Sequence, residues 1–429
     1  VTTIEAQADV MPAILDLAPV DPTIEITTVE QLVNHLRQAA YLEMSTIPMY
    51  LYAAFSVASK GYSQWDPGMG SFRLIRSVVV EEMLHLSLVR NLLVALGAKD
   101  KAKFYDPAFI PKYPSLMLHR YPDLMLHLDR CSPELARNVF MEFERPKAKP
   151  GEKPKKKGQY LTIGQFYRAV GKGLEKLDKK LGKKLWAHND PSVQYVAAYW
   201  NKDGGGEPVL VRDLKSAQDA LKIIIEQGEG IDPDKPTVPI DPLKPIPGLD
   251  ELPHYTKFKR IADEVEKLGS IWVVPRDPKA ADYQHDEAVS SINELFNAVY
   301  CYVLHMLDVI YETPWDDVEP GKHSARYGME RTLMSAMQGV LVSVAEIMVA
   351  TQVQPKAGDT ERVQAGPTFQ YVELPEHDKV LHLKGLCEQA MRYFPQLGGD
   401  NSVHWLLGKL PEFAPSAGGR SGRSGQRVR

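Results

Sequence analysis

Cysteine is scarce in this chain: there are three in 429 residues, Cys131, Cys301 and Cys387. They lie too far apart to match a zinc spacing or a disulfide framework, so the expectation is reduced thiols in a cytoplasmic protein. A dominant charge is also missing. Lys and Arg number 51 against 55 for Asp and Glu, for a net charge of -4. Nothing in that balance points to a nucleic-acid partner. No run of about eighteen apolar residues free of charge occurs, so no membrane span is expected. The first residues, "VTTIEAQADVMPAILDLAP", lack a basic stretch followed by an apolar one, so a secretory leader is not expected either. Internal repeats are absent and hairpin signals are few. What remains is an ordinary globular composition, 44% apolar, with 32 prolines and 30 glycines gathered between helical stretches. That pattern predicts an all-α chain whose helices are joined by long, ordered loops.

The helices can be placed by period and punctuation. After an arm over 1–27, Thr27 or Thr28 caps a helix whose seam is Val33, Leu36, Ala40, Glu43, Ile47, Tyr50, Ala54 and Val57, spaced alternately three and four. A second helix covers about 72–96 and stops at Gly97. Ser132, Pro133 and Pro146 bracket a short helix. Further helices follow in "LTIGQFYRAVGKGLEKLDKKLG", "LKSAQDALKIIIEQGEG" and "HYTKFKRIADEVEKL", the last with seam residues His254, Phe258, Ile261, Val265 and Leu268. We expect a bundle over 28–280, a helical extension over 281–415 packed on it, and a disordered Gly-Ser-Arg tail over 416–429.

The seams contain charge where apolar residues belong. In the second helix the inward positions are Ile75, Val78, Glu82, His85, Val89, Leu92 and Leu96, with Glu81 at the edge. Glu43 occupies a seam slot midway along the first helix. An unpaired buried carboxylate is costly. Three such groups on two neighbouring helices call for a shared cation, which holds the glutamates ionised and the histidine neutral. Bundles that bind two metals place one Glu on each of two helices and Glu-x-x-His on each of the other two. Glu82 and His85, three apart, fit that spacing. For the remaining donors the sequence offers Glu144, His254 and either Glu226 or Glu229 in "EQGEG"; periodicity does not choose between the last two, because that helix is apolar all round. His305 reads as a satisfied core histidine and Glu175 as solvated.

The stretches "LEMSTIPMYLYAAFS", "VVVEEMLHLSLVRNLLVALGA", "FERP", "TIGQFYRAV", "IIIEQGEG", "HYTKF" and "AGPTFQY" together resemble the ferritin-like domain of iminophenyl-pyruvate dimer synthases, enzymes of bis-indole pigment and alkaloid biosynthesis. The resemblance runs in order from about 28 to about 371. It implies a ferritin-like four-helix bundle with additional C-terminal helices, and a metal-dependent oxidase or oxygenase of secondary metabolism. The implied cofactor is one or two iron ions, with manganese as the other candidate. The implied ligands are Glu43, Glu82, His85, Glu144, Glu229 and His254, with Glu226 in reserve. Tyr50, Tyr167 and Gln165 are expected to line a pocket for a small aromatic or amino-acid-derived substrate, with O2 or peroxide as co-reactant. Gln165 stands where the family carries a glutamate. A homodimer is one expectation for the assembly. A dimanganese catalase-like site, a haem enzyme and a metal-storage bundle are the competing readings.

Overall fold

The computed structural model describes residues 25–58, 66, 68–155, 158–196, 206–229, 252–315, 325–355 and 362–413. Most of the expected arm over 1–27 and all of the tail over 416–429 lie outside the described residues.

Helix α1 spans Val29–Ser56 and begins with a reciprocal cap: Thr28 Oγ1 accepts from the Gln31 N–H, and Gln31 Oε1 accepts from the Thr28 N–H. Helix α2 spans Met69–Ala95. It is followed by Gly97 in the left-handed region (φ 70°), where a Cβ would come 2.5 Å from the Cβ of His188. The segment after α2 holds a two-residue antiparallel pair, β1 (Ser115–Leu116) with β2 (Met125–Leu126). Helix α3 starts at Pro133–Leu135 under a Ser132 cap, passes through a π-helical turn at Ala136–Phe140, and ends at Met141–Phe143. Helix α4 is Ile163–Leu181, α5 is Leu214–Glu229 and α6 is His254–Ala262.

Four of these close a ring. α1 packs along α2, α2 on α5, α5 on α4, and α4 on α1. The fold is all-α, and these four helices form a four-helix bundle. The short helices α3 and α6 pack on each other, and α6 also packs on α2 and α5. One expectation fails here. The seam drawn through Val265 and Leu268 does not continue as helix: α6 stops at Ala262, Glu264 takes a positive φ of 56°, and Val265 is 58% exposed.

Helix α7 (Glu287–Glu312) is capped by Asp286. Helix α8 runs from Ala325–Met334 through a π-helical stretch Ser335–Leu341 to Val342–Ala350. α9 is Lys379–Ala390 and α10 is Val403–Leu407. α8 lies on α7, and its last segment reaches α1. With the bundle on one side and these helices on the other, every residue from Gln38 to Tyr50 is buried. Arg90 of α2 joins the two parts: it is buried, lies over the rings of Phe104 and Tyr311, and sits 3.5 Å from Asp308 of α7. The stretch Arg326–Ala350 is long and apolar enough to cross a membrane by length and composition. Glu330, Arg331 and Glu346 interrupt it, so it holds no charge-free run of eighteen residues.

Candidate metal centre

Seam spacing turns Glu43 of α1 and Glu82 and His85 of α2 into the space between those helices, and all three are buried. His85 Nδ1 lies 3.4 Å from Glu43 Oε2 and 3.9 Å from Glu82 Oε1. Two further donors arrive from outside the four-helix ring. Glu144 follows the last turn of α3, and His254 is the first residue of α6. His254 Nδ1 is 2.9 Å from Glu82 Oε1 and 3.6 Å from Glu144 Oε2. The donors thus form two groups of three, Glu43–Glu82–His85 and Glu82–Glu144–His254, each with its donor atoms within 4.8 Å of one another. Glu82 belongs to both. The two imidazoles stack with centroids 5.3 Å apart.

A second layer of groups holds these donors. Thr46 Oγ1 donates to Glu82 Oε2 at 2.8 Å. Tyr50 Oη donates to Glu144 Oε1 at 2.6 Å, and Tyr167 Oη donates to Glu43 Oε1. Each imidazole is engaged at Nε2 and turns Nδ1 toward the carboxylates. His85 Nε2 is 2.9 Å from Gln227 Oε1, and His254 Nε2 is 3.0 Å from Glu81 Oε2. Glu81 Oε2 in turn accepts from Lys257 Nζ at 2.5 Å. An acceptor on the far nitrogen fixes the tautomer that leaves the near nitrogen free to bind a cation.

The electrostatics fit a cation at this place. Burial, followed by the charges of Glu43 and Glu144, pushes Glu82 up to about 8, so without a cation it carries a proton at neutral pH. Burial works to raise Glu43 too, but the hydrogen bond and charge of His85 bring it net below the usual range. Burial works to lower both histidines. Glu43 outweighs it at His85, and Glu144, Glu81 and Glu82 outweigh it at His254. His254 Nδ1 is buried and makes no hydrogen bond, although Glu82 Oε1 is close by. An orphaned nitrogen facing two buried carboxylates, Glu82 and Glu144, is the donor set that a divalent ion satisfies.

Among the described residues, Glu226 and Gln165 are engaged away from the centre. Glu226 is partly exposed and lies 3.7 Å from Lys222 on the surface of α5. Glu229 is the last residue of α5, and its side chain lies outside the described residues. Between them, Gln227 reaches the centre, with its Oε1 on His85 Nε2. Gln165 is occupied at the start of α4, where its Oε1 accepts from the Leu161 N–H. Tyr50 and Tyr167 are present, with their hydroxyls on carboxylates. Glu81, placed by period at the seam's edge, is 1% exposed because α6 packs over that edge. His305 is half-buried beside Tyr105, away from the centre. A cavity of about 20 Å³ touches the centre between α4 and α5, lined by Glu144, Gly164, Tyr167, Ile224, Ile225 and Gly228 among others.

The sequence profile of the ferritin-like family matches residues 36–263, more than half of the chain, from within α1 to the end of α6. This chain belongs to the ferritin-like family. The match contains both three-donor groups. Among curated proteins, the chain is 24% identical over 424 aligned residues to dichlorochromopyrrolate synthase of Lentzea aerocolonigenes. That alignment covers 86% of this chain and 38% of the relative, so the chain spans well under half of the relative's length. Among solved structures, a ferritin-like protein from Caulobacter vibrioides aligns with 75% of this chain and 96% of its own, at 19% identity and a TM-score of 0.46. The ferritin-like fold with a synthase relative agrees with the resemblance drawn from the motifs.

Proposed function

We propose that this ferritin-like chain is a metal-dependent oxidative enzyme of secondary metabolism, with two ions in its centre. The observation that carries the reading is Glu82, which sits in both three-donor groups and so can bridge two ions. The donors are mixed oxygen and nitrogen, which suits iron, or manganese, better than structural zinc. Bound redox-active ions would supply electron exchange with O2 or peroxide. The chain's own residues do the rest. Glu81 and Gln227 orient the imidazoles, while Tyr50, Tyr167 and Thr46 orient the carboxylates. The cavity between α4 and α5 is large enough for a water or a diatomic molecule and too small for an aromatic ring. The relative is named for making dichlorochromopyrrolate, and we propose by analogy a small aromatic or amino-acid-derived intermediate as the substrate here. The three cysteines are free and buried, which suits the cytoplasmic setting that belongs to this reading.

Anaerobic titration with Fe(II) and Mn(II), followed by metal analysis and absorption spectra before and after O2, tests the reading. Two ions per chain and no Soret band are expected; a chain that takes up neither metal defeats it. Uptake should also be proton-linked. Glu82 in the metal-free protein sits at about 8, so binding expels its proton, and affinity should rise from pH 6 to pH 8. Flat affinity over that window contradicts the linkage. Gln227→Ala removes the acceptor on His85 Nε2 and is expected to weaken one of the two ions by ~10–100-fold while sparing the other. Loss of both ions, or of neither, in the same titration would count against this role.

A further inference from the structure

We infer a second binding site, between the bundle and the C-terminal helices, for a neutral molecule about the size of one aromatic ring. A cavity of about 100 Å³ lies where α1 and α2 face α7 and α8. Met44 and Met83 form its bundle wall, with Leu304, Leu307, Met334 and Met337 opposite. None of the side chains that line it is charged.

Three features favour a ligand over an accident of packing. Interiors are close-packed, and voids larger than a water are few. The size is of the same order: an apolar cavity of about 150 Å³ stays dry and takes up benzene, and this one holds about 100 Å³. Four methionines line the walls, and these unbranched, polarisable side chains adapt to a ring better than branched ones do. The π-helical stretch Ser335–Leu341 contributes Met337 and Leu341 to the wall. Such interruptions of an α-helix are frequent at functional sites.

The site is separate from the metal centre. Met44, Met83 and Leu86 are the chain neighbours of Glu43, Glu82 and His85, but one step along a helix turns a side chain by about 100°. A ring in this cavity therefore meets the apolar side of α1 and α2. The same walls disfavour a carboxylate, because they carry hydroxyls such as that of Tyr300 but no cation to offset its desolvation. A carboxylate-bearing substrate of the metal centre is thus not the occupant.

The probe is toluene, titrated by calorimetry into the full chain, with benzoate as the control of equal ring size. Toluene is expected to bind saturably at one per chain and to raise Tm; benzoate is expected to do neither. Leu307→Trp and Met334→Trp, at partly exposed positions of the wall, should each cut toluene affinity at least tenfold. Two variants are used so that one failing to fold leaves the other to decide. Absence of saturable toluene binding, equal binding of benzoate, or unchanged binding in the folded filled variants overturns the inference. The result is expected with or without metal, so failure here is distinct from failure of the metal-centre reading.

Discussion

Replacing Glu82 with glutamine is expected to strip the centre of both ions. Glu82 belongs to both three-donor groups, and an amide offers neither charge nor a second anionic oxygen for bridging. The loss should exceed the ~10–100-fold typical of an outer-shell partner. By contrast, His85→Ala should release the ion shared with Glu43, and Glu144→Ala the one shared with His254. Misfolding is not the expected cause of metal loss, because burial and the charges of Glu43 and Glu144 already keep Glu82 protonated at neutral pH in the metal-free chain. The linkage sign gives a second readout. Glu82's carboxyl is raised from 4.5 to about 8, so its contribution to metal-free stability is full below pH 4.5 and is lost as pH rises through 8. The Gln variant has no such slope at this position. Urea denaturation of both metal-free proteins from pH 5 to pH 9 should show the parent losing stability relative to the variant. Retention of either ion by the folded variant would falsify the bridging role.

The first half of this centre was legible because helical period is a local property. Glu43, Glu82 and His85 interrupt apolar seams at slots whose direction follows from 3.6 residues per turn. The second half is a product of tertiary placement. In the general four-helix arrangement the second pair of helices supplies a Glu and a Glu-x-x-His. Here α4 and α5 contribute Tyr167 and Gln227, while Glu144 and His254 come from the short helices α3 and α6. No period within α5 could single out Gln227 over Glu226, because Ile223, Ile224 and Ile225 make that helix apolar on several sides. Glu81 is buried, although period places it at the seam's edge, for a related reason. Its side of α2 is an edge only when α1 is considered, and α6, far along the chain, turns that edge into interior. One signal was available. His254 and Lys257 are three apart on one helix, so a lysine shares the face of a proposed ligand.

That lysine carries the other large effect. Lys257 is 0% exposed, its Nζ lies 2.5 Å from Glu81 Oε2, and Glu81 is 1% exposed. Removing one partner of a buried pair costs up to ~3–5 kcal/mol; here Glu81 would keep His254 as a partner. Lys257→Met is therefore expected to lower stability by up to that amount, measured by urea denaturation at pH 7 on metal-free protein. Burial tends to raise Glu81, but His254 and Lys257 together hold it below the usual range. Without the lysine it should shift upward and accept His254's hydrogen bond less well. The double variant Glu81→Leu with Lys257→Met replaces the pair by apolar groups and should recover most of the stability. It should not recover the metal, since His254 Nε2 then has no carboxylate to fix its tautomer. Recovery of stability with continued loss of the His254-side ion marks the pair as a positioning device for the centre. Recovery of both would reduce Glu81 and Lys257 to a structural ion pair.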